Sequence, residues 1–171
     1  MLTKVMPHAK NIGILYDPVK NSQRVESAGK IAKDFGIDLR MQRVERPSDL
    51  PDALESISKR VDVLFGIPDQ LVYTPQTASH ILLFSLKNKV PFIGLSGTWV
   101  KAGALFALEC DYKDIGAQCA EVAINLLQGR KSPTEHLGPR KILYSLNLRT
   151  AAQMQLDVPD SIIQGASQVY R

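Results

Sequence analysis

The clearest pattern in the chain is an apolar run at residues 12–16, carried by Ile12, Ile14, Leu15 and Tyr16. A short run without polar alternation predicts a strand buried on both faces. Asp17-Pro18 ends it, because a residue before proline avoids helical geometry and proline has no N–H for a ladder. Asn21 or Ser22 stands where the next helix would be capped. From Ser22 to Phe35, the residues Val25, Ala28, Ile31, Ala32 and Phe35 recur at helical spacing and predict one apolar stripe. Gly36 follows at the C-terminal cap position. The alternation then repeats. Residues 37–44 predict a half-exposed strand through Ile37, Leu39 and Met41, and Ser48 opens a helix carrying Leu50, Leu54 and Ile57. Val61 to Ile67 predicts a buried third strand. Thr74-Pro75 predicts a capped helix that runs to about Asn88 and buries Ala78, Ile81, Leu82 and Ser85. Val90 to Leu95 predicts a fourth strand.

Beyond it, Ser96 to Gly103 reads as a loop rich in small residues, and Ala104 to Leu108 as a fifth strand. Asp111 can cap a helix that buries Ile115, Cys119, Val122, Ala123, Leu126 and Leu127 and stops at Gly129. Residues 130–139 form a polar linker. Ile142 to Leu146 reads as a last strand, and Asn147 to Gln155 and Asp160 to Ala166 as short helices. Strands alternating with helices predict an α/β fold, a three-layer sandwich with a mostly parallel, doubly wound sheet. Its crossovers are right-handed. Met1 to Lys10 forms a leader turn in which Leu2, Val5 and Met6 share one side.

Composition narrows the function. The 171 residues carry a formal net charge of +4, but the lysines and arginines are scattered. The densest cluster, Arg130-Lys131 with Arg140-Lys141, has no interleaved aromatics, so no nucleic-acid partner is predicted. Cys110 and Cys119 fit neither a zinc site nor a redox motif and read as small buried residues. No run reaches the roughly 18 apolar residues of a membrane span. Met1 to Lys10 has charge but no apolar core, so the sequence as written shows no signal peptide and would stay in the cytoplasm.

The loop Asp17 to Ser22 contains no glycine. It is therefore neither a dinucleotide loop nor a P-loop, both of which need glycine for the backbone to approach phosphate. HExxH and GxSxG are absent. His8, His80 and His136 have no evident partners. No cofactor and no metal is predicted. Asp17 and Asp69 both follow strands, so they could meet as a carboxylate pair for acid–base work. The plainer reading, that each serves turn geometry and capping, is preferred. What remains is a sheet edge with hydroxyls, amides and two aromatics: Asn21, Ser22, Asp69, Tyr73, Thr74, Ser96, Thr98 and Trp99. Helix starts at Ser22 and Thr74 would turn unpaired N–H groups toward a carboxylate there. Tyr73 and Trp99 would offer flat apolar surface. The combination suits a small zwitterion or anion with an apolar body better than it suits catalysis.

The segment Pro7-His-Ala-Lys-Asn-Ile-Gly-Ile-Leu-Tyr-Asp-Pro-Val-Lys-Asn-Ser22 resembles the opening of the second lobe in ABC-transporter substrate-binding proteins of the tryptophan/tyrosine-uptake type. These have the type I periplasmic-binding fold. The likeness continues in order through Val61-Asp-Val-Leu, Val90-Pro-Phe-Ile-Gly, Lys101-Ala-Gly-Ala-Leu, Asp111-Tyr-Lys-Asp-Ile-Gly, Leu126-Leu-Gln-Gly-Arg-Lys and Asn147-Leu-Arg-Thr-Ala. It implies a two-lobed protein that closes on a small-molecule ligand and delivers it to an ABC permease, without chemistry. Family ligands are typically aromatic or other apolar amino acids. By position, Asn21, Ser22, Asp69, Tyr73, Thr74 and Ser96 match the family's cleft-facing loops, and Asp111 matches its Asp-Tyr near the interlobe crossing. Ser96 stands where many relatives carry an acidic residue.

The resemblance also implies a periplasmic or membrane-anchored extracytoplasmic location. It assigns residues 11–103 and 138–171 to the second lobe, and makes residues 1–10 a leader or interlobe remnant. It implies that residues 104–137 pack with a first lobe that the sequence does not contain. That segment is then expected to fold back onto the second-lobe sheet or to pair with another chain as a homodimer. Two alternatives remain: a sensory or regulatory module of the same fold, and a small flavodoxin-like enzyme using Asp17 and Asp69.

Overall fold

A computed structural model describes residues 1–130 and 137–171, so Lys131, His136 and most of the expected linker lie outside the described residues. The chain forms strands β1 (Asn11–Tyr16), β2 (Asp38–Arg43), β3 (Val63–Phe65), β4 (Phe92–Gly94), β5 (Phe106–Cys110), β6 (Ile142–Asn147) and β7 (Gln168–Tyr170). Its helices are α1 (Leu2–Val5), α2 (Pro18–Asp34), α3 (Leu50–Ser58), α4 (Pro75–Asn88), α5 (Gly97–Ala102), α6 (Tyr112–Leu127), α7 (Leu148–Gln153) and α8 (Asp160–Gln164), and a 3-10 turn spans Pro47–Asp49. The strands make one sheet in the order β2-β1-β3-β4-β5-β6-β7. All neighbours are parallel except β5 and β6.

The burial of each strand follows its place in the sheet. β1, inside the sheet, is buried from Ile12 to Tyr16, whereas β2 at the edge exposes Asp38, Met41 and Arg43. The core is filled by Leu15, Leu64, Phe92, Ile93, Leu105, Phe106 and Leu146, each at most 2 % exposed. Burying one side chain of this size contributes about 1.5–3 kcal/mol. α3 docks through Leu50, Ala53, Leu54 and Ile57, the helical spacing read from its sequence.

Several elements differ from the sequence-based expectation. α2 starts at Pro18, not at Ser22, because the Asp17 carboxylate caps it by accepting from Val19 N at 2.8 Å. Starting a turn earlier, α2 faces the sheet through Asn21, Val25 and Gly29, and leaves Ile31 and Phe35 outside. Residues 97–102, expected as loop, form α5. Its two flanking glycines and six-residue length hide the periodicity, but Val100 is fully buried. β7, three residues at the far edge, gives no sequence signal of its own.

The strand of segment 104–137, β5, lies inside the sheet between β4 and β6. The helix that follows is different. α6 buries no residue, and its stripe of Ile115, Cys119, Val122, Ala123 and Leu126 lines an open groove of ≈ 470 Å³ with Leu137 and Pro139. Both cysteines are free thiols, Cys119 exposed and Cys110 half-buried, which corrects their reading as buried residues. Ion pairs link α6 to the start of β6. Arg140 pairs with Asp114 and Glu121, and Lys141 pairs with Asp111 at 2.8 Å. These pairs account for the Arg140-Lys141 half of the basic cluster.

β4 also sets how closely α5 approaches. A Cβ on Gly94 would lie 2.7 Å from Trp99 Cβ and 3.0 Å from Ala104 Cβ, both fixed atoms. Gly94→Ala is therefore expected to cost about 1–3 kcal/mol through overpacking. A urea midpoint equal to that of the parent chain would show that α5 can yield.

Candidate functional site

In an open parallel sheet the loops after the strands form a rim at the strands' C-terminal ends. Here that rim is built by the loops following β1, β3, β4 and β5. It contains the residues predicted from sequence, but most of them are already engaged.

Asp69 is the anchor. It is 8 % exposed. Its Oδ2 accepts from Asp17 N at 2.8 Å and from Asn21 Nδ2 at 2.7 Å. Its Oδ1 accepts from Leu71 N and Val72 N, both at 2.9 Å. Burial works against the charge, but these four donors outweigh it and hold the carboxyl below the usual carboxylate range. Asp69 thus clasps the β3 loop to the β1 loop and to α2. Asn21, 5 % exposed, points into this clasp, and its Oδ1 accepts from Arg24 Nη1. Ser22 donates to Pro18 O inside its own helix. Neither residue caps α2.

The Asp17–Asp69 enzyme alternative needs two converging carboxylates with at least one raised pKa. The structure instead gives Asp17 to the α2 cap and Asp69 to the clasp, with the pKa of Asp69 lowered. The arrangement is a structural brace.

Tyr73 is 9 % exposed and stacks on Phe92 with ring centroids 5.8 Å apart. Trp99 meets both edge-on, at 6.3 Å and 5.4 Å. Burial pushes the Tyr73 phenol far above its ordinary value, so it stays neutral. Tyr73, expected as an open platform, is therefore part of the core beneath the rim, and Trp99 packs half-buried against that core. Thr74 caps α4, its hydroxyl accepting from Thr77 N while Thr77 Oγ1 accepts from Thr74 N. That capping box, together with the Asp17 cap, uses N–H groups expected to be open at the two helix starts. Asp111 caps α6 through Lys113 N and Asp114 N, and its pairing with Lys141 holds its carboxyl below the usual range. Ser96 alone among the predicted residues stands half-buried without a side-chain hydrogen bond at its helix start.

The rim does contain a concave feature that the sequence did not single out. A depression of ≈ 220 Å³ lies over the ends of β3, β4 and β5, lined by Phe65, Gly66, Ile67, Ile93, Leu95 and Leu108 among others. Its lining carries no charged side chain. Leu108 is 46 % exposed, a large apolar side chain turned outward beside the hollow. Two buried glycines, Gly66 and Gly94, stand in the wall. Close neighbours explain both: a Cβ on Gly66 would meet Phe92 Cζ at 2.9 Å and Ile93 O at 3.1 Å. Among the described residues, no group of three or more potential metal ligands comes together.

Comparison with known proteins decides the family. The model of the ABC transporter substrate binding protein family matches residues 1–170. The chain belongs to this family. A "Tyrosine-binding protein" of Clostridioides difficile (strain R20291) is 26% identical over 167 residues, covering 95% of this chain and 48% of that protein. The chain thus spans about half the length of the curated relative it matches. The fold is shared with a ligand-free, open substrate binding protein with adhesive properties from Clostridium difficile (TM-score 0.79, 21% identity, 99% of this chain and 57% of that one). It is shared equally with an ABC domain in complex with L-Trp from Streptococcus pneumoniae (TM-score 0.74, 20% identity, 98% and 57%). A conserved domain protein from Vibrio cholerae O1 aligns at TM-score 0.74 with 23% identity, again over 98% and 57%.

Proposed function

We propose that this chain supplies one wall of the ligand cleft in a solute-binding component of an ABC-type importer, taking up a small amino acid with an apolar or aromatic side chain. The observation that carries the reading is the uncharged depression over β3, β4 and β5, placed at the strand ends where open α/β sheets bind ligands. The names of the relatives, one binding tyrosine and one captured with L-Trp, support the ligand class. Capture would come from closure of two lobes about a hinge, with no bond made or broken. The partner is then an ABC permease, and the working location is outside the cytoplasm. No described helix is long and apolar enough to cross a membrane.

The unburied stripe of α6 fits the same reading. We assign it to packing against the remaining half of the longer protein, with association between two copies as the outcome when that half is absent.

Half a cleft buries only part of a ligand, and affinity depends on burying most of it. Calorimetry of the chain with L-tyrosine is therefore expected to give a Kd on the order of 1 mM, about −4 kcal/mol. Submicromolar binding would contradict the single-wall reading, and no binding at millimolar ligand would remove the proposal.

A further inference from the structure

We propose that Glu109 is the carboxylate that receives the ammonium group of an amino-acid ligand at the rim, an assignment that rests on the binding function above. The argument starts from what the other carboxylates at this edge are doing. Asp17 caps α2, Asp69 is filled by four donors, and Asp111 caps α6 and pairs with Lys141. Glu109 is the exception. It sits at the end of β5, one residue before the strand's last, and is half-buried. Among the described residues, the hydrogen bond its side chain makes is to a neutral group: Ser145 Oγ on β6 donates to Oε2 at 3.1 Å. No described lysine or arginine pairs with it.

A carboxylate drawn part-way out of water gains most from a cationic partner, because charge-assisted hydrogen bonds are about twice as strong as neutral ones. The residue at the start of α5 that packs beside it has no side chain. Gly97 lies against the carboxylate, and a Cβ there would stand 3.3 Å from Glu109 Oε2 and 3.2 Å from Ser145 Oγ. Geometry along β5 supplies the rest. Successive strand residues point to opposite faces, so Leu108 turns into the apolar depression and Glu109 to the other side of the same strand end. A ligand lying across the end of β5 would rest its apolar body by Leu108 and bring its α-ammonium to Glu109.

The test compares L-tyrosine with 3-(4-hydroxyphenyl)propionate, which keeps the ring and carboxylate but lacks the amine. Binding of each to the whole chain, and to Glu109→Gln and Glu109→Asp, is followed by two-dimensional amide NMR, which also reports folding. The parent chain is expected to prefer L-tyrosine by about tenfold. Glu109→Gln is expected to erase that preference and leave the amine-free probe unchanged. Glu109→Asp, which keeps the charge, is expected to retain part of it. A Gln variant that still prefers L-tyrosine as the parent does would overturn the assignment while leaving the binding reading intact. Equal weakening of both probes would also overturn it, placing Glu109 in the support of the rim. A parent chain that binds neither probe would remove the assignment and the binding function together.

Discussion

Asp69→Ala is expected to lower the unfolding free energy by about 3 kcal/mol, because it strands four donors that now share one buried carboxylate. Asn21 is the most exposed to this loss, since its amide is buried and has Asp69 as its acceptor. The β3 loop, Leu71 and Val72 included, loses its tie to β1 and α2. Urea unfolding read by circular dichroism measures the effect. Asp17→Ala is the control: it removes one helix cap and is expected to cost about 1 kcal/mol. Equal losses in the two variants would mean that the clasp adds nothing beyond local turn geometry.

The same residue sets an acid response. Its carboxyl titrates lower in the folded chain than the ordinary value of 3.8. The unfolded chain therefore takes up the proton first as pH falls, and stability drops with it. The contribution of Asp69 is complete above the unfolded value and disappears as pH falls through the lower folded value. Stability measured between about pH 5 and pH 2 should fall less steeply in Asp69→Ala than in the parent chain.

Phe92→Ala carries the second large effect. Phe92 is 0 % exposed, is stacked by Tyr73 and is met edge-on by Trp99. It also supports the wall of the rim, since its Cζ is the atom that a Cβ on Gly66 would strike. Truncation removes the ring and leaves a cavity beneath the depression, an expected loss of about 3–5 kcal/mol. For a domain of this size that lowers Tm by roughly 10 °C. Calorimetric melting checks it. Phe92→Leu keeps most of the apolar volume and should recover about half of the loss. A melting point unchanged in Phe92→Ala would mean that Tyr73 and Trp99 close the gap without cost.

The scaffold was legible where local chemistry and tertiary context agree. The apolar run of β1, the Thr74-Pro75 cap of α4, the stripe of α3 and the Asp111 cap of α6 all stand where the residues place them. Legibility ended where a partner outside the local sequence decides. The stripe on α6 has the right period, but nothing in the described chain covers it. Asn21 looked like a cap because its type favours one; Asp17 took that place, and Asn21 turned to a carboxylate that lies 48 residues further on. The sequence offers Tyr73 and Trp99 as flat apolar surface, yet Tyr73 stacks on Phe92 in the core and Trp99 packs half-buried against them. The depression is invisible in the sequence because its walls are ordinary apolar residues at the ends of three strands that meet only in the fold. Glu109 was invisible too. A single acid in an apolar strand reads as a solvent-facing position until the neighbours across the sheet are known.

The central claim is that the C-terminal rim of this sheet is a ligand-binding wall. Amide NMR of the isotopically labelled chain, titrated with L-tyrosine, tests it at residue resolution. The account predicts concentration-dependent shifts centred on Gly66, Ile67, Gly94, Leu95, Leu108 and Glu109, with α1 at the opposite end of the sheet unchanged. Shifts centred instead on the hollow between Val5, Met6, Leu156 and Pro159 would contradict it.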